Sequence, residues 1–265
     1  MIRRIAWTAV AGVFTCACLA GNALTDEEVR SAVVGEGISL PAPGELIAAF
    51  DKAARPDWST SFRKVPDAAF TSRPQIAINL GLLLADGHVA VEAQDRQELK
   101  NVSREVKNLA KALGLEQDIV RRSNTIADFA DGMQWDALSE ELEAVQNELA
   151  AAMSGRQDGD LVTLLVLGAW LRAIEVVSGH LAASYTPAGA KTLRQPAIGS
   201  YFIRRLTAMP ARIQGSTLVA ELQRRLPEIH ALLSQPAGAT PSAADAAKLK
   251  ELTSGLVTSL ITQEK

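Results

Sequence analysis

The fold is decided by residues 160–184, which read DLVTLLVLGAWLRAIEVVSGHLAAS. Apolar side chains occupy almost every face of a helix over this stretch, and the charged pair Arg172 and Glu175 lies inside it. A helix that is apolar nearly all round must be covered on all sides. We therefore predict that this segment is a central helix of the protein.

A second stretch of the same character covers residues 73–92, RPQIAINLGLLLADGHVAVE. Ser72 precedes it as a helix cap, and Pro74 lies in its first turn, where the missing N–H has no helical partner to lose. Asn79, Asp86 and His88 interrupt the apolar run. Because polar and charged groups are costly in lipid, we predict a second central helix and no transmembrane span in the mature chain.

The segments between and after these two stretches are amphipathic. Apolar residues step by three or four places through Leu99, Val102, Val106, Leu109 and Leu113, as on one face of a helix. Aromatic residues make up only 5% of the chain, which favours helices packed through Leu, Val, Ile and Ala over a β-sandwich. The sequence predicts an all-α, multi-helix bundle of roughly nine to ten helices, with helices 73–92 and 160–184 at its centre.

The domain prediction is a single helical domain over residues 24–265, in three parts. Residues 24–71 form a helix pair, over about 25–34 and 45–54, followed by a wrapping loop pinned by Trp58 and Phe62. Residues 72–234 form the core bundle, with a kink or break in its last helix at Pro227. A short linker then leads to a C-terminal helix over 242–263.

The N-terminus has the three parts of a signal peptide. Arg3 and Arg4 supply the positive charge, residues 5–19 form an apolar segment, and small residues follow up to Ala23. We predict removal of residues 1–23, with cleavage after Ala20 as the second choice, and a periplasmic or secreted location.

Both cysteines, Cys16 and Cys18, lie within this segment, so the mature chain would have no disulfide and no catalytic thiol. A lipid anchor on Cys16 or Cys18 is the less favoured alternative, because the residues before them do not match the usual lipoprotein pattern. The net charge of −3 would become about −5 without Arg3 and Arg4. This charge and the lack of a basic run argue against a nucleic-acid partner.

One polar cluster is predicted between the two central helices. Asn79 and Asp86 lie on one stripe of the first helix, and Arg172 and Glu175 lie close together on the second. A buried arginine requires a carboxylate partner, which Glu175, Asp86 or Glu92 could supply. The four residues could form a pocket for a small anion or another ligand, but we favour an ion-pair network that fixes helix register. Gly168 and Gly179 share that face and would let a neighbouring helix approach.

The histidines provide a weaker hypothesis. His88 and Glu92 are four residues apart on one helix face and could begin a metal site, although no further ligand has a matching spacing. The other interpretation is a structural histidine that hydrogen-bonds Glu92. We interpret His180 and His230 as structural or solvated.

Sequence signatures of nucleotide-binding loops, zinc proteases and serine hydrolases are absent from the chain. We therefore predict an exported helical protein of non-catalytic type, which interacts with an unknown protein partner or serves as a scaffold in the periplasm. The alternative is a periplasmic protein that binds a small ligand or a metal through the polar cluster. No cofactor is predicted, and an enzyme is the least favoured class.

Overall fold

The computed structural model describes residues 42–64, 70–236 and 238–262. These residues form helices and turns without a β-strand, which confirms the all-α prediction. The signal segment, the helix expected near residues 25–34 and Pro66 lie outside the described residues. The α-helices are α1 Pro43–Ala54, α2 Arg73–Glu92, α3 Arg96–Ala112, α4 Glu116–Asp131, α5 Trp135–Gly155, α6 Gly159–Ala183, α7 Pro187–Ala190, α8 Pro196–Thr207, α9 Ala211–Gln214, α10 Thr217–Leu233 and α11 Ala243–Ile261.

Helices α2 and α6 form the centre of the bundle, as predicted. They pack against each other more extensively than any other pair of helices in the described part. Helices α3 and α5 cover α2, while α11 covers α6. By length and composition α2 and α6 could each cross a membrane, but 94% of the apolar window in each is buried inside the protein.

Two glycines let the backbones of α2 and α6 touch. A Cβ atom on Gly81 would lie 1.9 Å from the carbonyl oxygen of Leu165, and one on Gly168 would lie 2.1 Å from that of Ile78. Both distances are far below a normal carbon–oxygen contact. The expectation of a close approach is confirmed for Gly168 but not for Gly179, whose added Cβ would meet only Lys250 Cγ, at 4.0 Å.

Four successive connections, from α2 to α6, share one turn conformation. In each, the residue after the helix C-cap has a positive φ: Gln94 (54°), Gly114 (75°), Met133 (53°) and Gln157 (61°). The next residue then donates its N–H to a carbonyl five places back, as in Asp95 to Ala90 (2.9 Å). This is the Schellman motif, which satisfies the last carbonyls of a helix and reverses the chain.

Two boundary predictions need correction. Helix α1 begins at Pro43 and not at Glu45, because proline is well suited to the first helical positions. Helix α10 is continuous from Thr217 to Leu233 with Pro227 inside it, so of the predicted kink or break the break is not found. Pro227 lies on the exposed side of α10, which leaves the buried apolar face of this helix intact.

Candidate functional site

The crossing of α2 and α6 brings Asp86 and Arg172 together. The Arg172 guanidinium donates from Nε to Asp86 Oδ1 (2.7 Å) and from Nη1 to Glu175 Oε2 (2.8 Å). Its Nη2 donates to the backbone carbonyl of Ser61 (2.7 Å), in the 3₁₀ turn Trp58–Ser61 after α1. The predicted grouping of Asp86, Arg172 and Glu175 is therefore present, while Glu92 is not a partner of Arg172.

A second guanidinium completes the cluster from the wrapping loop. Arg63 donates from Nε to Asp86 Oδ2 (2.8 Å), so both oxygens of this carboxylate are bound by arginines. The side chains of Arg172 and Asp86 are only 5% and 8% exposed. The cluster thus contains two positive and two negative groups. Sequence reasoning missed Arg63 and the Ser61 carbonyl, because nothing in a loop sequence indicates which buried charge it covers.

Both central charges stay ionised. Burial alone would raise the pKa of Asp86, but Arg172 and Arg63 outweigh it and hold that pKa below its usual value. Burial likewise opposes the charge of Arg172, yet Asp86 and Glu175 together raise its pKa. Mutual pairing of this kind compensates the desolvation that an isolated buried charge would suffer.

Asn79 lies outside this cluster. Its side-chain amide donates to the carbonyls of Gln75 and Leu260 (2.9 Å each), and Gln75 donates to Thr262 (3.1 Å). Seven residues separate Asn79 from Asp86, which is about 10 Å along a helix, so a shared stripe does not make a shared site. Asn79 instead satisfies a carbonyl at the end of α11.

His88 and Glu92 do not form a pair. His88 is buried, with its ring against the backbone of Gly44, and burial lowers its pKa to about 4. Burial raises the pKa of half-buried Glu92, with smaller contributions from neighbouring charges. The described residues contain no hydrogen bond between the two and no group of three metal-binding side chains. The described residues therefore offer no third ligand for the metal site hypothesised at His88 and Glu92.

His180 is enclosed by the segment that follows α1. Its Nε2 lies 2.8 Å from Ser61 Oγ, and the rings of Phe50 and Trp58 pack against it. Burial lowers its pKa, and Asp57 opposes this in part. A serine nucleophile needs a base that a third group orients. Asp57 instead accepts from Ser59 as the cap of its own turn (3.1 Å from the backbone nitrogen).

His230 forms a similar but separate set of contacts. Its ring lies 3.2 Å from Ser200 Oγ and 3.0 Å from Ser234 Oγ. A Cβ on Gly199 would collide with this ring at 2.5 Å, so His230 fills the space between α8 and α10. These contacts agree with the structural interpretation of this residue.

A scan against protein families and searches of curated proteins and of solved structures found no match to this chain. The inference of function therefore depends on the chemistry of the described residues.

Proposed function

We propose that this chain is an exported, non-catalytic helical protein that acts in the periplasm by binding a partner protein. The observation that carries the non-catalytic part is the complete pairing of Arg172 in the polar cluster. Every guanidinium nitrogen of Arg172 donates to a protein oxygen, and two carboxylates balance two guanidiniums. A ligand-binding or catalytic arginine would instead keep donors free for substrate.

The signal-like N-terminus supports the export part of the proposal. Expression of the full chain in a Gram-negative bacterium, followed by mass determination, distinguishes the routes. A mature chain beginning at Leu24 supports cleavage after Ala23, and one beginning at Gly21 supports the second site. A lipid-modified Cys16 or Cys18 would show that the mature protein is a lipoprotein anchored in a membrane. An unprocessed chain in the cytoplasm would overturn the export part of the proposal.

The partner-binding part is tested by site-specific photo-crosslinking in intact cells. Met133 and Tyr185 are the large hydrophobic residues that are exposed in the described part, at 68% and 37%. Exposed apolar groups are favoured at protein interfaces, so a photoreactive residue at Met133 should give a discrete adduct. Arg121, with 81% of its side chain exposed, is a matched control at a charged position. The absence of adducts at Met133 and Tyr185 would contradict the proposal.

The non-catalytic part has its own test. The Ser61–His180 contact is the arrangement closest to a hydrolytic pair, so a fluorophosphonate probe should leave Ser61 unmodified in the folded chain. Modification of Ser61 that disappears in His180→Gln would show an activated hydroxyl. That result would replace the proposal by a hydrolase function.

One observation favours small-ligand binding as the second candidate. Arg63 Nη1 is buried and has no acceptor among the described residues. A small oxygen-containing anion could accept from it, since such unsatisfied buried donors are rare. Thermal unfolding with phosphate, sulfate and carboxylates tests this, with Arg63→Gln as the control. Stabilisation that requires Arg63 supports a ligand site, and none in any anion counts against it.

A further inference from the structure

One N-terminal segment covers a histidine on each of the two central helices. This segment, residues 42–64, is called the strap here and consists of α1, the 3₁₀ turn and the residues up to Lys64. Its helix α1 packs on both α2 and α6, with Leu46, Ile47 and Phe50 buried. The strap is therefore a cover over the central pair and not a part of it.

The contact at the start of the strap is a glycine against His88 of α2. A Cβ on Gly44 would lie 2.6 Å from both Cε1 and Nδ1 of the His88 ring, so this ring rests directly on the strap backbone. The strap's Phe50 and Trp58 cover His180 of α6, with ring centroids 6.1 and 5.1 Å away. The rings of both histidines are therefore shielded from water while the strap is packed on α2 and α6, which is called the docked state here.

The other end of the strap is held by permanent charges. Arg63 binds Asp86, and Arg172 binds the Ser61 carbonyl. The pKa of Asp86 is lowered by these two arginines, although burial opposes them, so this clamp persists in mild acid. The two ends of the strap should therefore respond differently to protons.

We propose that the strap is acid-sensitive: protonation of His88 and His180 lifts α1 from the central helices, while residues 61–63 stay clamped to Asp86 and Arg172. A positive charge on His88 would be buried against Gly44 and the surrounding apolar groups. Lifting α1 would return the His88 ring to water and would remove Phe50 from the His180 ring, so both rings would gain solvent, in which the charged form is stable.

The charged groups near His88 do not cancel the cost of burying a protonated His88 under the strap. Glu92 lies one helical turn away, and its own surroundings include Asp51 and Lys52 of α1 and Asp136 of α5. Burial raises the pKa of Glu92, with Asp51 and Asp136 adding to it, so Glu92 loses its charge early as the pH falls. Burial is the cause that lowers the pKa of His88.

His180 has a mixed charge environment. Asp57 of the strap raises its pKa, but burial has the larger, opposite effect. On its own helix, Arg172 and Glu175 are bound to each other, and the Lys250 stem of α11 passes beside Gly179. The net direction is the same as for His88, so both histidines favour the lifted strap in acid.

The size of the response follows from His88. A histidine in water has a pKa of about 6.5, and burial lowers the pKa of His88 to about 4. The ratio of lifted to docked strap should rise by roughly 70-fold between pH 7.5 and pH 4.5, and by about 300-fold at lower pH. The docked state is fully favoured above about pH 6.5 and loses this advantage as the pH falls toward 4.

Hydrogen exchange measured by mass spectrometry on the full chain tests the strap. We expect amide protection in α1, corrected for intrinsic exchange rates, to fall at least tenfold from pH 7.5 to 4.5. Protection in α10 should stay at least tenfold above that in α1 at both pH values, because α1 exchanges through the smaller local opening. His88→Gln should suppress most of the fall in α1, and His230→Gln, which lies outside the strap, should retain it. Equal protection of α1 and α10 at pH 4.5, or a full fall in His88→Gln, would overturn the proposal.

Gly44→Ala provides a test that changes no titrating group. The new methyl group would press on the His88 ring from the docked side, so α1 should lose protection already at pH 7.5. Ala49→Gln, which adds a side chain at an exposed position on the same helix, is the matched control and should keep it. Unchanged α1 protection in Gly44→Ala would show that His88 does not sense the strap and would also overturn the proposal.

Discussion

Replacing Gly168 by alanine adds one methyl group where the backbones of α2 and α6 meet. The new Cβ would lie 2.1 Å from the Ile78 carbonyl oxygen and 3.0 Å from the Ile78 carbonyl carbon. Both atoms belong to a helix backbone that cannot rotate away. The two helices must therefore separate by about 1 Å before a normal contact of about 3.3 Å is reached.

The packing energy lost by this separation opposes the helix propensity gained when glycine is replaced by alanine. A gap of 0.5–1 Å removes about a quarter to a half of the dispersion energy of the contacts involved. Overpacking of a rigid core costs about 1–3 kcal/mol and sometimes more, and the rigid backbone places Gly168 at the upper end. Alanine returns about 1 kcal/mol of helix propensity. We expect Gly168→Ala to lower the free energy of unfolding by about 2 kcal/mol or more.

Gly179 in the same helix is a matched control. An alanine there meets only the Lys250 stem at 4.0 Å, so Gly179→Ala should raise the free energy of unfolding by about 0.5–1 kcal/mol. Urea unfolding followed by circular dichroism measures both changes, with equal m-values as the check on two-state behaviour. For a chain of this size, Gly168→Ala should lower Tm by about 4–8 °C.

Gly81 gives an internal test of the same reasoning. Its Cβ would meet the Leu165 carbonyl, so one separation of the helices relieves both Gly81→Ala and Gly168→Ala. The double variant should lose clearly less stability than the sum of the two single losses. A Gly168→Ala variant as stable as Gly179→Ala would refute the close crossing.

Four further predictions concern other parts of the fold. Met133→Gly should raise the free energy of unfolding by about 1 kcal/mol in urea titrations, because glycine adopts the positive φ of this turn without strain; no gain would contradict the turn. Asp86→Asn should lower it by about 3–5 kcal/mol by leaving two buried guanidiniums opposed, and a loss below about 1 kcal/mol would show that water reaches the cluster. The free energy of unfolding should fall by about 3 kcal/mol as the pH drops from 6.5 to below 4, because the pKa of His88 is lower in the folded than in the unfolded chain. Urea unfolding curves measured at each pH should show no such fall for His88→Gln. Asn79→Ala should increase hydrogen exchange at the end of α11 and cost about 1–2 kcal/mol by leaving the Leu260 carbonyl unpaired, whereas unchanged exchange there would assign that end to other contacts.

The sequence by itself determined the helices and the identity of the two central ones. Segments 73–92 and 160–184 carry apolar residues on every face, and such a surface can be stable only when other helices cover it. The cap residue Ser72 marked the start of the first of them, because a cap acts within three residues along the chain. These signals are local, so they can be detected in a single chain.

The identity of three members of the ion cluster was also within reach. Arg172 inside an apolar helix demanded a carboxylate, and the sequence offered Glu175, Asp86 and Glu92, of which the first two bind it. Asn79 lies on the same face of α2 as Asp86 but has different neighbours. The distance between them along the helix places Asn79 beside the end of α11.

Only the tertiary structure decided which distant groups meet. Three contacts join residues that are far apart in sequence. Gly81 and Gly168 each touch the backbone of the opposite helix, Arg63 binds Asp86, and Gly44 covers the ring of His88. Three of the four Schellman turns carry a side chain where glycine would be the usual marker, so the repeated turn was hidden. Local patterning fixes which faces of a helix must be buried, but the partner of each face is selected by the packing of the whole bundle, because many apolar faces satisfy the same pattern.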